Sequence, residues 1–252
     1  MHKRIILTAA ALTMFFSVCM TGCALSAEDN ISVSDNSFVS HDADLFAVDT
    51  YMTMRAYGDN AEEALKAASD RIYELENELS VTVECSDLWR INNSGGDPVE
   101  VCDDTAKLIN AAKEYSKDTD GALDITIYPV LKEWGFTTGE YHIPSQQKLS
   151  ELLDRVDCNK LSLSENTVTV PDDMQIDLGA LAKGYTGEQV MEELRSRGVR
   201  SAIISLGGNV QALGSKPDGS DWSVSVLDPF SSDRDMCVVK VSDKAVITSG
   251  NY

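Results

Sequence analysis

Positive charge is what this sequence lacks most. Against 41 aspartates and glutamates it carries 21 lysines and arginines, a formal net charge of −20 over 252 residues. A surface of that sign repels nucleic acid and anionic lipid, so neither is expected as a partner of the folded part. An anionic ligand would need a local device, such as a helix N-terminus or a bound cation. Cysteine is also sparse. Cys85, Cys102, Cys158 and Cys237 lie at separations that match no zinc pattern, and they read as small buried thiols. A disulfide outside the cytoplasm stays open, because sequence alone cannot pair them. No internal repeat is present, and no apolar run is long enough to span a bilayer comfortably. What remains, 25% charged and 43% apolar, is an ordinary globular balance with material for one sizeable core.

The N-terminus is laid out for export. His2, Lys3 and Arg4 form a positive end, residues 5–18 an apolar run, and Thr21 and Gly22 stand directly before Cys23. The arrangement resembles a bacterial lipoprotein signal, with Met20 where Leu is preferred. Residues 1–22 are therefore read as a leader and Cys23 as a lipidation site. Residues 23–45, rich in Ser, Asp and Asn, read as a flexible tether that would hold the folded part within roughly 25 Å of the extracytoplasmic membrane face. The folded domain is expected over residues 46–252.

Periodicity then sets out the elements. A strand is expected over residues 46–56, broken by Gly58, Asp59 and Asn60. Asn60 with Glu63 suggests a capping box for a helix whose stripe is Ala64, Leu65, Ala68, Ile72, Leu75 and Leu79. After a turn-rich stretch at 92–98, helices are expected at 104–115, 145–156 and 178–197, the last closed by Gly198. Strands are expected at 160–163, 167–170, 202–206, 222–227, 237–241 and 245–248. Helices and strands interleave without regular βαβ alternation, so the class is α+β, in a single domain.

Four segments could carry chemistry. In Q-I-D-L-G-A-L-A-K-G-Y (residues 175–185), Asp177 stands at a helix start beside the N–H groups of Gly179 and Ala180, and Lys183 follows about one and two-thirds turns later. A capping aspartate and a solvated lysine would give the same pattern. In G-A-L-D-I-T-I-Y-P (121–129), Asp124 sits among apolar residues and needs a partner, which could be a ligand or nearby backbone. In I-I-S-L-G-G-N-V-Q (203–211), Gly207 and Gly208 permit either close approach to a ligand or a tight bend. A-V-I-T-S-G-N-Y (245–252) reads as a strand that ends in mid-motif.

In this order, and with A-V-D-T at 47–50, E-L-S at 78–80 and W-G-F at 134–136, the segments resemble the ApbE family of flavin transferases along nearly the whole folded part. The resemblance implies an α+β domain that uses Mg²⁺ and takes FAD as substrate. It implies transfer of the FMN half to a Thr or Ser hydroxyl of a target protein, such as a membrane redox-complex subunit, with release of AMP. It places FAD contacts at Ala122, Leu123, Asp124, Asp177 and Lys183 and a metal contact at the Ala180 carbonyl, and it names no catalytic residue. Gly207 and Gly208 match a glycine pair near the ligand, and Val48 stands where the family often has Met beside the flavin. The family pattern continues past T-S-G-x-Y into H-x-I-D-P-x-T-G-x-P and D-x-x-D-T, which this sequence does not contain. A domain incomplete at its C-terminus is expected on that ground, with FAD binding without transfer, or hydrolysis of FAD to FMN and AMP, as alternatives.

Overall fold

Alternation of polar and apolar residues begins earlier than the sequence reading allowed. In the computed structural model, which describes residues 39–249 apart from the side chains of 232 and 233, β1 (Ser40–Ala47) and β2 (Thr50–Tyr57) form an antiparallel hairpin. Strand thus starts inside the stretch read as tether, and the single strand expected over 46–56 is two. The chain reverses at Val48 and Asp49, both at positive φ (50° and 53°). Such turns favour Gly or Asn, and a β-branched residue there is unusual, so no turn signal marks the reversal. The leader, Cys23 and residues 250–252 lie outside the described residues.

The elements that follow are α1 (Ala61–Leu79), α2 (Asp87–Asn92), β3 (Val99–Glu100), α3 (Asp103–Asp118), α4 (Tyr128–Glu133), α5 (Gln146–Leu153), β4 (Ser162–Ser164), β5 (Thr167–Thr169), α6 (Gly179–Ser196), β6 (Ser201–Leu206), β7 (Asn209–Leu213), β8 (Trp222–Asp228), β9 (Ser231–Val241) and β10 (Ala245–Ile247). The α1 stripe is buried as its spacing predicts, but the capping box does not form. Asn60 makes no side-chain cap and donates instead to the Arg197 carbonyl (3.1 Å), tying the start of α1 to the end of α6. Gly207 and Gly208, at φ 59° and 87°, are the two-residue turn of a β6–β7 hairpin. The bend, one of their two sequence readings, is therefore formed, and it leads into β7, which was not anticipated.

Five antiparallel strands in the order β1-β2-β6-β7-β10 make the main sheet. On one face, Met52, Met54, Ile204 and Leu206 pack against Leu65 and Ala68 of α1 and Val190 and Leu194 of α6. On the other, Ile203, Val210 and Ala212 meet Trp222, Val224 and Val241 of the β8–β9 ribbon. A second core gathers the end of α1, α2, α3 and the small sheet β3-β5-β4. No helix of the described residues is long and apolar enough to cross a membrane. The four cysteines among the described residues are free, and the buried-thiol reading holds for Cys158 but not for Cys85 and Cys237, which are exposed.

An irregular segment leads from the small sheet to α6, and the side chain of Asn92 holds it. Asn92 Oδ1 accepts from the Ile176 N–H (2.7 Å) and Asn92 Nδ2 donates to the Ile176 carbonyl (2.8 Å), while Gln175 Nε2 donates to the Asn92 carbonyl (2.9 Å). Ile176 is fully buried. Asn92→Ala would strand both of its backbone groups, at about 1–3 kcal/mol each. The expected loss is about 2–6 kcal/mol in urea unfolding, and a loss below about 1 kcal/mol would show the clamp to be dispensable.

Candidate functional site

Asp177 is positioned by backbone pairing. Its N–H donates to the Ile125 carbonyl (2.8 Å), and Ile127 bridges Gln175 in parallel. Two of the four segments therefore run side by side. The buried Leu178 precedes α6, and Asp177 Oδ1 accepts from the Gly179 N–H (2.9 Å), so the carboxylate sits over the first helical turn. A Cβ on Gly179 would lie only 2.9 Å from that oxygen, so glycine allows the approach. Burial raises the Asp177 carboxyl above its ordinary value, and the bond from Gly179 offsets this only in part. Burial also raises the Tyr128 phenol, as does the Asp177 charge, although Thr137 pulls the other way. Lys132 lies 5.1 Å over the Tyr128 ring and donates to Gln175 Oε1.

Ala180 is exposed in the first turn of α6, and Lys183 is half-buried. Among the described residues the ion-paired lysines are Lys107 and Lys160, which leaves the Lys183 ammonium available to a ligand. Tyr185 fixes the rotation of the helix. Its hydroxyl donates to Asp104 Oδ1 (2.5 Å), while the other Asp104 oxygen accepts from Arg71 of α1. Burial works to raise the Asp104 carboxyl, but these two partners outweigh it and hold it below the ordinary range.

Asp124 is engaged within the protein. One oxygen accepts from the Thr126 N–H (2.8 Å) and hydroxyl (2.6 Å), the other from the Cys158 N–H (2.8 Å). The backbone-bonded reading of this carboxylate is the one formed. Leu123 packs against the second core, and Ala122 is exposed beside it.

The remaining segments meet at one end of the main sheet. A Cβ on Gly207 would lie 2.1 Å from Thr50 Oγ1, and one on Gly208 3.7 Å from Thr248 Oγ1. The Val48 N–H donates to Glu76 Oε1 of α1 (2.7 Å). This end lies toward the start of α6, because β6 returns antiparallel from the end of that helix and β7 reverses again. Gln211 marks the register, since a Cβ on Gly187 would lie 2.0 Å from its Nε2. Two surface hollows of about 440 and 430 Å³, lined respectively by Lys132, Arg155 and Asp172 and by Lys117, Asp124 and Cys158, include neither Asp177 nor Lys183. Sequence reasoning missed Glu76 and Asn92, whose partners lie 28 and 84 residues away along the chain, and it singled out neither Tyr128 nor Asn209 within the segments that contain them.

Magnesium takes a near-octahedral shell of oxygens. Among the described residues no three His, Cys, Asp or Glu come together to hold a metal, and the Ala180 carbonyl alone is no such shell. The described residues alone do not complete such a shell, and no step is derived through the ion.

Residues 48–252 match the ApbE family. The chain belongs to that family. An ApbE-family relative from Klebsiella pneumoniae strain 342, named FAD:protein FMN transferase, is 30% identical over 229 residues, 87% of this chain and 68% of the relative. One of the same name from Vibrio cholerae is 26% identical over 197 residues, 75% of this chain and 59% of its own length. The crystal structure of the ApbE protein of Thermotoga maritima superposes with a TM-score of 0.80 at 28% identity, over 85% of this chain and 71% of that one. The apo flavinyl transferase ApbE of Pseudomonas stutzeri does so with 0.76 at 25% identity, over 85% and 70%. The α+β class and single-domain reading are those of the ApbE structures. The chain spans between 59% and 68% of the two curated relatives.

The raised Asp177 carboxyl makes a prediction. The folded chain holds this proton to higher pH than the unfolded chain, so ionisation costs stability. The cost is absent well below the ordinary value of 3.8 and complete above the raised folded value. Asp177→Asn keeps an acceptor for Gly179 and removes the charge. It should stabilise the ligand-free protein at neutral pH and leave stability in acid unchanged, and an equal effect at both in denaturant unfolding would contradict the assignment.

Proposed function

We propose that this chain binds FAD across the first turns of α6 and moves its FMN half to a Thr or Ser hydroxyl of a target protein, releasing AMP. The observation that carries the reading is the gathering of Asp177, the α6 N-terminus and Lys183 in one place, in a family whose relatives bear the name FAD:protein FMN transferase. A helix N-terminus offers unpaired N–H groups and a positive dipole end, and Lys183 adds a full charge. Together they suit the diphosphate on a protein that otherwise repels anions. Asp177 is suited to accept an N–H or O–H of the same ligand. In the transfer, the acceptor oxygen bonds to the FMN phosphorus, the bond from that phosphorus to AMP breaks, and the hydroxyl proton is released.

Mg²⁺ belongs to this proposal as the ion that would neutralise the diphosphate, with the Ala180 carbonyl as the contact implied by resemblance. The order of basic end, apolar run and Thr-Gly-Cys supports a lipid on Cys23 and a place on the extracytoplasmic membrane face. A membrane redox-complex subunit is then a reachable acceptor. A second reading on the same residues is that FAD is bound without transfer.

Incubation with FAD, Mg²⁺ and a Thr-bearing acceptor, followed by intact mass, distinguishes the two: the acceptor gains FMN in the first and stays unmodified in the second. Asp177→Ala and Lys183→Ala should each weaken FAD binding by about tenfold or more, as loss of a charged hydrogen-bond partner implies. Unchanged affinity in both variants would reject the α6 site.

A further inference from the structure

Asn209 opens β7, is 6% exposed, and has a side-chain oxygen with no hydrogen-bond partner among the described residues. An amide oxygen buried in this way costs about 1–3 kcal/mol. Strand alternation puts it on the helix side of the sheet. Leu213 packs in the core with α1 and α6 and Gln211 lies on Gly187, whereas Val210 and Ala212 face the β8–β9 ribbon. Because β7 runs in the same direction as α6, stepping back from Gln211 to Asn209, about 6–7 Å, corresponds to about four residues of helix and reaches the level of Lys183. Ala180 and Lys183, seven and four residues before Gly187, share its helix face. The Asn209 oxygen and the Lys183 ammonium, neither with a partner among the described residues, therefore lie at one level of the cleft where the start of β7 faces the first turns of α6. Thr50, Thr248 and the turn held by Glu76 border it.

We propose that Asn209 is a specificity-determining residue of this cleft, its Oδ1 accepting a hydrogen bond from an N–H or O–H of the bound flavin nucleotide. The assignment rests on the functional reading above and extends it to a residue on the opposite wall from Asp177. A buried acceptor left open rejects ligands that lack the matching donor far more strongly than an apolar wall does. Its cost in the ligand-free state accounts for a polar residue at a position that packing alone would fill with Leu or Val.

The test uses the whole chain with Asn209→Leu, and with Asn209→Ala in case the larger side chain crowds the cleft. FAD, FMN and AMP are titrated separately by equilibrium dialysis, and the ligand-free proteins are unfolded in urea. Both variants should bind FAD about tenfold or more weakly, and Asn209→Leu should be at least as stable as the parent. A matching loss for FMN alone places the donor on the flavin half; a matching loss for AMP alone places it on the adenosine half. Parent-like FAD affinity in either folded variant overturns the assignment, as does destabilisation of the ligand-free protein by both replacements. A parent chain that binds no FAD overturns the functional reading and this assignment with it.

Discussion

The start of α6 stays where it is because two residues far from it in sequence hold the backbone that leads into it. Asn92 pairs both polar groups of Ile176 as a neighbouring strand would, and Ile125 takes the N–H of Asp177. Everything downstream inherits that position: the carboxylate over the first turn, the level of Lys183, and the face that Gly187 offers to Gln211. The bonds involved amount to a few kcal/mol, a substantial part of the roughly 5–15 kcal/mol by which a domain of this kind is stable. Site geometry and fold stability thus draw on the same contacts.

Close by, the structure holds features that would be unfavourable alone. Val48 sits at positive φ, at about 1–3 kcal/mol, and the charged bond from its N–H to Glu76 is worth about 1.5–3 kcal/mol. The two nearly cancel, so the turn is held by its partner, not by its own preference. Asp177 is offset only in part by its bond from Gly179, and the open acceptor of Asn209 has no partner among the described residues. Departures from local rules concentrated at one end of a sheet are what the proposed binding site would leave.

How much could be read in advance follows from the range of the interaction. The helices α1, α3 and α6 were legible to within a few residues because each runs for four turns or more with a periodic buried face. The six-residue α2 and α4 are too short to show a period. The Val48–Asp49 reversal carries no turn residue, while β7 follows a Gly-Gly pair whose hairpin meaning was available. Within the site, Asp177 and Lys183 stood out through their order along the chain, by resemblance. The part of Asp124 as a brace for Thr126 and Cys158 was one of two open readings. Glu76 and Asn92 act across separations of 28 and 84 residues, where no local pattern reports them.

The β8–β9 ribbon bears on how one molecule meets another. Among the described residues its two strands pair only with each other, and Leu227, Phe230, Met236 and Val238 are exposed. In dilute buffer the charge of −20 keeps copies apart. At about 1 M salt the screening length falls to about 3 Å, and what then faces a neighbour is an apolar ribbon with unpaired backbone along its edges. The colloidal behaviour of this protein is therefore governed by ionic strength: its acidity does the work that a polar covering of the ribbon would otherwise do.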